Sequence, residues 1–579
     1  MQQIKEFNTL WDIWESNAAA FPDRDAIVFW RAGEVPIRFT YKKLLEKANG
    51  YSRALKRSGI KAGEVCAIII RHNPEFYPLY LGIVGIGALP AVLAYPNPRL
   101  HQDKFRQGIE GMSQRSGLDW ILTERSLENI LQPILSSKKT TIKGTFYPLE
   151  FDLSEDKVLQ NEISNYRKSI KENDPVLLQH SSGTTGLQKP VVLSNKAIIN
   201  HVENYSNSIN LTASDKVVSW LPLYHDMGLI AAFHIPLAFG ITSIQIDPFE
   251  WVLAPRILMD AITIEKATLT LLPNFAFNIL SDKISERELE DVSLSSMRMF
   301  INCSEPIRPD SFEKFKSKYI KYGLNPLSLA TCYAMAETTF AVTQSISSKG
   351  YNTININRKG FTKGCIEIVD NNLEAKTLAS SGRIISGCNL RIVDENRKNL
   401  PEGIIGEIAI KSVSMFDGYR NYPEKTSEVI DNGWYFSGDL GFSLNGELFV
   451  IGRKKDLIIV AGKNIYPEDV EDIIGNVPGV IPGRVVAFGE DDEALGTEMI
   501  SIIAETKIDD EKEIADLRFS IVRAGMKNEL NISGIYLVPP RWLIKSSAGK
   551  PSRKANRERI LEQKNGLMND FKGIQIGHS

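Results

Sequence analysis

A chain of 579 residues is too long for a single hydrophobic core, so several domains are expected. Hydrophobic residues make up 43% and charged residues 24%, the balance of an ordinary globular protein. Lys+Arg at 68 against Asp+Glu at 70 gives a net charge of −2, which leaves no global field to attract nucleic acid or an anionic membrane.

The opening Met1-Gln-Gln-Ile-Lys-Glu-Phe7 carries no apolar signal core, no uncharged run reaches membrane-spanning length, and Gly577-His-Ser579 is not a peroxisomal address. Cys66, Cys303, Cys332, Cys365 and Cys388 are scattered, with no CxxC spacing. Together these features predict a reduced, cytoplasmic setting with neither zinc nor a disulfide framework.

In chain order, Tyr41–Gly50 predicts an amphipathic helix ended by Gly50, Val65–Ile70 a buried strand, and Phe76–Ile86 an apolar helix. Residues 125–170 are polar and weakly patterned and read as a connecting surface region. Pro175–Leu178 and Val191–Leu193 predict strands on either side of a loop, and Ser194-Asn195 supplies capping residues for a helix from Lys196. Met297–Cys303 predicts another strand, and the repeated strand–helix alternation predicts an α/β fold with mainly parallel sheets. Residues 346–380 read as a long loop without structure of its own, a feature that is often functional. Short strands follow at Leu390–Val393, Gly406–Ile410 and Glu447–Ile451. From about residue 456 a smaller α+β unit is expected, with a helix near Pro467–Ile474 and strands at Arg484–Phe488 and Met499–Ala504. A domain boundary is placed at Gly452–Asp456, and the basic, helical tail after Lys550 reads as a solvated face.

The loop Leu178-Gln-His-Ser-Ser-Gly-Thr-Thr-Gly-Leu-Gln-Lys-Pro190 offers backbone N–H groups, hydroxyl donors and one lysine charge, an inventory suited to a polyphosphate. Its glycines allow close backbone approach to a ligand. It is not a Walker A sequence, because Lys189 lies between Gln188 and Pro190 rather than between Gly and Ser or Thr. A plain surface hairpin rich in small residues remains an alternative from this segment alone.

Five blocks occur in order: Ser181-Ser-Gly-Thr-Thr-Gly186, Tyr333-Ala-Met-Ala-Glu337, Gly433-Trp-Tyr-Phe-Ser-Gly-Asp439, Gly452-Arg-Lys-Lys-Asp456 and Ser546-Ser-Ala-Gly-Lys550. Together they resemble the adenylate-forming superfamily of acyl-CoA synthetases, luciferases and nonribosomal adenylation domains, over roughly residues 10–560. The resemblance implies an α/β fold with a large N-terminal adenylation domain, 1–453, and a small mobile α+β C-terminal domain, 456–579. The large domain would hold two α/β subdomains and a small β-rich one.

It also implies a ligase that forms an acyl-adenylate from ATP with Mg2+ and then a thioester. Ser181, Ser182, Gly183, Thr184, Thr185 and Lys189 would hold the β- and γ-phosphates. Glu337 resembles the magnesium-associated glutamate, and a lone carboxylate suffices for an ion that also takes phosphate oxygens. Tyr333, followed by Ala334 and Met335, would stack on adenine, with Ser304-Glu305-Pro306 on the other face. Asp439 and Arg453 would contact the ribose, as an acidic residue reads ribose in dinucleotide folds. Lys550 resembles the catalytic lysine of the mobile domain, bridging carboxylate and α-phosphate as charge shifts between them. Lys455 resembles the hinge, Gly462 would line a thiol tunnel, and His225 is similar to the residue that gates the acyl pocket.

Trp220–Leu229, Gly462–Glu471 and Gly549–Arg553 resemble fatty acyl-AMP ligases in particular, as does the position of the insertion 346–380. That branch passes its acyl group to an acyl carrier protein or a polyketide or nonribosomal synthase. The segment Thr184–Pro190 looks closer to CoA ligases, so an acyl-CoA synthetase is the alternative. Asp226 lies one position past His225 without a Phe-Asp context, which disfavours an amino acid substrate.

Overall fold

The computed structural model describes residues 4–96, 102–137, 139–181, 188–346, 349–370, 375–460, 463–492, 497–528, 530–545 and 551–564. Among these residues the largest sheet has nine strands, in the order Arg383–Ile384, Ala341–Gln344, Leu329–Ala334, Met299–Asn302, Leu269–Leu272, Lys216–Ser219, Thr242–Ile246, Asp25–Trp30 and Ile37–Thr40. From Leu329–Ala334 across to Asp25–Trp30 every neighbouring pair is parallel, and the flanking pairs are antiparallel. Strands such as Thr242–Ile246 and Met299–Asn302 are buried along their whole length, as expected where helices cover both faces of a parallel sheet.

A second, parallel sheet joins Leu89–Val92, Val65–Ile69, Trp120–Thr123 and Gly144–Phe146. The strands Pro175–Ser181 and Lys189–Ser194 form an antiparallel pair, and Ser194 caps the helix Asn195–Ser208, its Oγ accepting from the Ala197 N–H. A five-stranded antiparallel sheet is built from residues 388–453, and a three-stranded one from Val480–Asp492, Thr497–Thr506 and Ile532–Val538. The latter carries its own core, with Val470, Ile474, Ile502, Leu517 and Ile521 buried between it and the helices Pro467–Gly475 and Glu511–Lys527.

Three expectations are corrected. Gly50 does not end its helix, which runs Tyr41–Arg57 with Leu44, Ala48, Tyr51 and Leu55 on the buried face. Leu153 lies so close that a Cβ at residue 50 would meet Leu153 Cβ at 3.0 Å, so this glycine serves packing rather than termination. Residues 125–170 are not a mere connector, since they hold the helices Glu128–Leu135 and Lys157–Arg167 and an edge strand. Hydropathy hides this because a buried arginine does the anchoring. Arg167 donates to the Gly85 carbonyl, Asn49 and Ser52, and its guanidinium lies 3.4 Å from the Trp11 ring centroid. The segment 346–380 is not structureless: Thr353–Asn357 pairs with Ala375–Ala379, and a short helix, Arg358–Thr362, sits between them. Its Ile356 and Phe361 are buried with Leu440, Phe442, Phe449, Ile451 and Tyr466.

Candidate active site

Ligands in open parallel sheets bind beyond the carboxyl ends of the strands, and three such ends converge here. Lys216–Ser219 leads into Trp220–Asp226, Met299–Asn302 into Cys303-Ser304, and Leu329–Ala334 into Met335–Glu337. They open on a cleft of about 630 Å³ whose lining includes Ser181, Lys189, His225, Ser304, Ala334, Met335, Glu337, Asp439, Arg453 and Lys455. Residues from five separated stretches of sequence therefore face one space.

On one wall, the strand Trp434–Leu444 pairs antiparallel with Glu447–Arg453, and the register places Asp439 directly opposite Arg453. Arg453 Nε lies 3.4 Å from Asp439 Oδ1, and the Tyr333 hydroxyl donates to Asp439 Oδ2 at 2.7 Å. Burial opposes the Arg453 charge, but Asp439 and Asp456 outweigh it and hold its pKa above the usual value. Gly438 takes a positive φ of 74°, so the turn before Asp439 uses a backbone geometry that glycine adopts at no cost. Glu407 accepts from the Gly438 N–H at 3.1 Å and from Lys454 Nζ at 3.2 Å, steadying that turn.

On the opposite wall, Glu337 is buried in a short turn after Ala334, and Lys189 stands at the head of its strand. Tyr419 lies between them, donating to Glu337 Oε1 at 2.7 Å and accepting from Lys189 Nζ at 3.3 Å. Burial lowers the Lys189 pKa, and Glu337 partly restores it. Lys455 is lowered to about 8, chiefly by burial and then by repulsion from Arg453.

His225 sits where the chain enters a π-helical segment, Met227–His234, its Nδ1 2.6 Å from Asp226 Oδ1. Close backbone approach fixes this entry, because a Cβ at Gly228 would meet the Pro222 carbonyl oxygen at 2.4 Å. Ser304 holds a left-handed φ of 71°, the kind of outlier that persists where surrounding structure over-determines it. Glu305 instead accepts from the Phe275 N–H at 2.9 Å, and Pro306 is exposed. Tyr333 is buried beneath the cleft, with Ala334 and Met335 forming its surface. Ser182, Gly183, Thr184, Thr185, Gly462 and Lys550 lie outside the described residues. Tyr419 and Glu407 escaped the sequence reading. The only signal for Tyr419 was the turn-forming Gly418 before it, and Glu407 lay within a stretch read as a strand.

The model of the AMP-binding enzyme family matches residues 14–420. The chain belongs to the AMP-binding enzyme family. As an AMP-binding enzyme it is a ligase of the adenylate-forming type, like the fatty acyl-AMP ligases. A Caulobacter vibrioides protein carrying an acyl-CoA synthetase name is 28% identical over 91% of each chain. FadD30 of Mycobacterium tuberculosis, named for a long-chain-fatty-acid–AMP ligase, is 28% identical over 93% of this chain and 95% of its own. JamA of Moorena producens, named as a medium-chain-fatty-acid–[acyl-carrier-protein] ligase, is 26% identical over 96% of each. A solved fatty acyl-adenylate ligase, of E. coli or L. pneumophila, shares the fold with a TM-score of 0.86, at 23% identity, over 98% of this chain and 100% of its own.

Proposed function

We propose that this AMP-binding enzyme activates a medium- or long-chain fatty acid with ATP, releasing pyrophosphate, and passes the acyl group to a phosphopantetheine thiol. The thiol would belong to an acyl carrier protein or to a polyketide or nonribosomal synthase. The observation that carries the reading is the convergence of Lys189, Glu337, Asp439 and Arg453 on one cleft. A carboxylate oxygen would attack the α-phosphorus, the bond to the β-phosphate oxygen would break, and pyrophosphate would leave with the electron pair. Anion meets anion in that step, so charge neutralisation and in-line positioning are what the protein must supply.

Asp439 and Arg453 would fix the ribose, and Lys189 with Ser181, Ser182, Gly183, Thr184 and Thr185 the polyphosphate. Among the described residues no group of three or more His, Cys, Asp or Glu side chains could hold a metal ion, so a wholly protein-ligated metal does not fit. A single carboxylate, Glu337, beside a polyphosphate site does fit Mg2+, which would neutralise phosphate charge when bound. In this reading residues 1–453 form the adenylating domain, 456–579 move about Lys455, Lys550 enters the cleft, Gly462 lines the path of the thiol, and His225 gates the acyl pocket. The enzyme would act in the cytoplasm. Among the described residues no helix is long and apolar enough to cross a membrane.

The insertion favours a carrier protein over free CoA. Phe361 lies 4.9 Å from the Tyr466 ring centroid, and Lys376 pairs with Asp469, so 346–380 grips the start of the C-terminal unit. Such contacts would bias the swing that CoA use requires. The second reading, an acyl-CoA synthetase, is favoured by the name of the Caulobacter relative. Incubation with ATP, Mg2+ and laurate, followed by CoA or a holo-carrier protein, separates them. Laurate-dependent pyrophosphate release and acyl-carrier formation are expected. Equal turnover with CoA would favour the second reading, and no pyrophosphate with any fatty acid would refute both.

A further inference from the structure

Tyr419 lies outside every motif block, yet its hydroxyl occupies the gap between the two opposite charges on the phosphate side of the cleft. An ammonium has donors only, so the 3.3 Å contact from Lys189 uses a lone pair of the phenol oxygen, and the single phenol proton is committed to Glu337 at 2.7 Å. Burial raises the Tyr419 pKa and the adjacent Glu337 raises it further, so that proton stays in place.

The ring is itself fixed. The Phe416 ring centroid is 4.9 Å away, and the Tyr419 amide donates to Thr426 Oγ1 at 3.0 Å. The same segment is stitched to both partners through the backbone. The Phe416 N–H donates to the Glu337 carbonyl at 3.0 Å, the Val192 N–H to the Gly418 carbonyl at 3.1 Å, and the Arg420 N–H to the Pro190 carbonyl at 2.9 Å. Glu337 and the Lys189 strand are therefore held by one element, with the phenol at its centre.

We propose that Tyr419 is a positioning residue that keeps Lys189 and Glu337 from collapsing onto each other, leaving both charges available to a phosphate chain. In a partly desolvated cleft a direct lysine–carboxylate pair is strong enough to compete with a ligand. A neutral phenol that bonds to both satisfies them without cancelling either. The identity of the ligand rests on the ATP reading; the spacer role does not.

The test is Tyr419→Phe in the full chain, with calorimetric affinities for ATP, AMP and inorganic pyrophosphate in the presence of Mg2+. Affinity for ATP and pyrophosphate is expected to fall about 10-fold or more, the scale of a lost hydrogen bond to a charged group, while AMP stays within about twofold. A merely structural defect would weaken AMP equally, and that result, or unchanged ATP and pyrophosphate affinity, overturns the inference. Should the single variant fold poorly, Glu337→Gln with and without Tyr419→Phe decides it. Less than about a twofold further loss on the Gln background is expected, and additive losses refute action through Glu337. Wild-type binding of pyrophosphate without ATP turnover would sink the ligase reading alone, and the pyrophosphate affinities would still judge Tyr419. Absence of any anion binding by the wild type overturns both.

Discussion

The insertion gives the sharpest test of the thiol acceptor. Phe361 is 2% exposed, packs against Tyr466 and lies under Lys376, whose ammonium is 4.1 Å from its ring centroid and pairs with Asp469. Replacing Phe361 and Lys376 together by Ala removes an aromatic pair, of about 0.5–1.5 kcal/mol, and a cation–π contact of about 0.5–2 kcal/mol. The partly buried ion pair, with side chains 16% and 26% exposed, adds on the order of 1 kcal/mol. About 2 kcal/mol of restraint on the C-terminal unit disappears even at the low end, which shifts its equilibrium by about 30-fold. Acyl-CoA formation from laurate, ATP and CoA is therefore expected to rise at least about 10-fold, with pyrophosphate release little changed. The paired rates are read by thiol consumption and pyrophosphate assay on the same preparation. Unchanged CoA turnover in a variant that adenylates normally would refute the restraint. A fall in pyrophosphate release to match would show that the insertion serves adenylation instead.

Asp439→Asn is expected to raise KM for ATP about 10-fold or more, because it removes a charged acceptor from the ribose wall, while saturating ATP restores most of kcat. Lys550→Ala should slow laurate-dependent pyrophosphate release about 100-fold or more yet leave transfer from preformed lauroyl-AMP intact, as single-turnover measurements would reveal. His201 is fully buried, its Nε2 accepts from the Ala341 N–H, and burial lowers its pKa from 6.5 to about 3. Below pH 6.5 the unfolded chain binds a proton that the folded one refuses, so stability falls as the pH drops, by about 2 kcal/mol at pH 5 from this residue alone. Thermal melts of His201→Gln between pH 7 and 5 should show a shallower loss than wild type, and a parallel loss would exclude His201 as a source of acid lability.

The ribose wall could be anticipated from sequence because it depends on little besides register. Asp439 and Arg453 sit on two strands joined by the Asn445-Gly446 turn, and antiparallel pairing alone brings them opposite one another. Lys189 and Glu337 were legible for a related reason: each lies at the end of a strand whose apolar run marks it, and the parallel sheet gathers such ends at one edge. The smaller C-terminal unit was read with its helix within a residue, though its strands proved longer than their apolar stretches.

What escaped depended on orientation rather than pattern. Residues 125–170 conceal their packing because Arg167, a charged residue by any hydropathy scale, fills the role of a core side chain through three hydrogen bonds and an indole face. The insertion looked formless because its hairpin buries alternate apolar residues against a β-sheet distant in sequence. Tyr419 was invisible for the strongest reason. A tyrosine between two opposite charges has no spacing signature, since its value comes from one proton and one lone pair aimed in different directions. If that aim matters more than the presence of the charges, Lys189 and Glu337 can be conserved in kind and still be useless without it. Motif blocks that omit Tyr419 would then identify the chemistry of the cleft while leaving out the residue that keeps it usable.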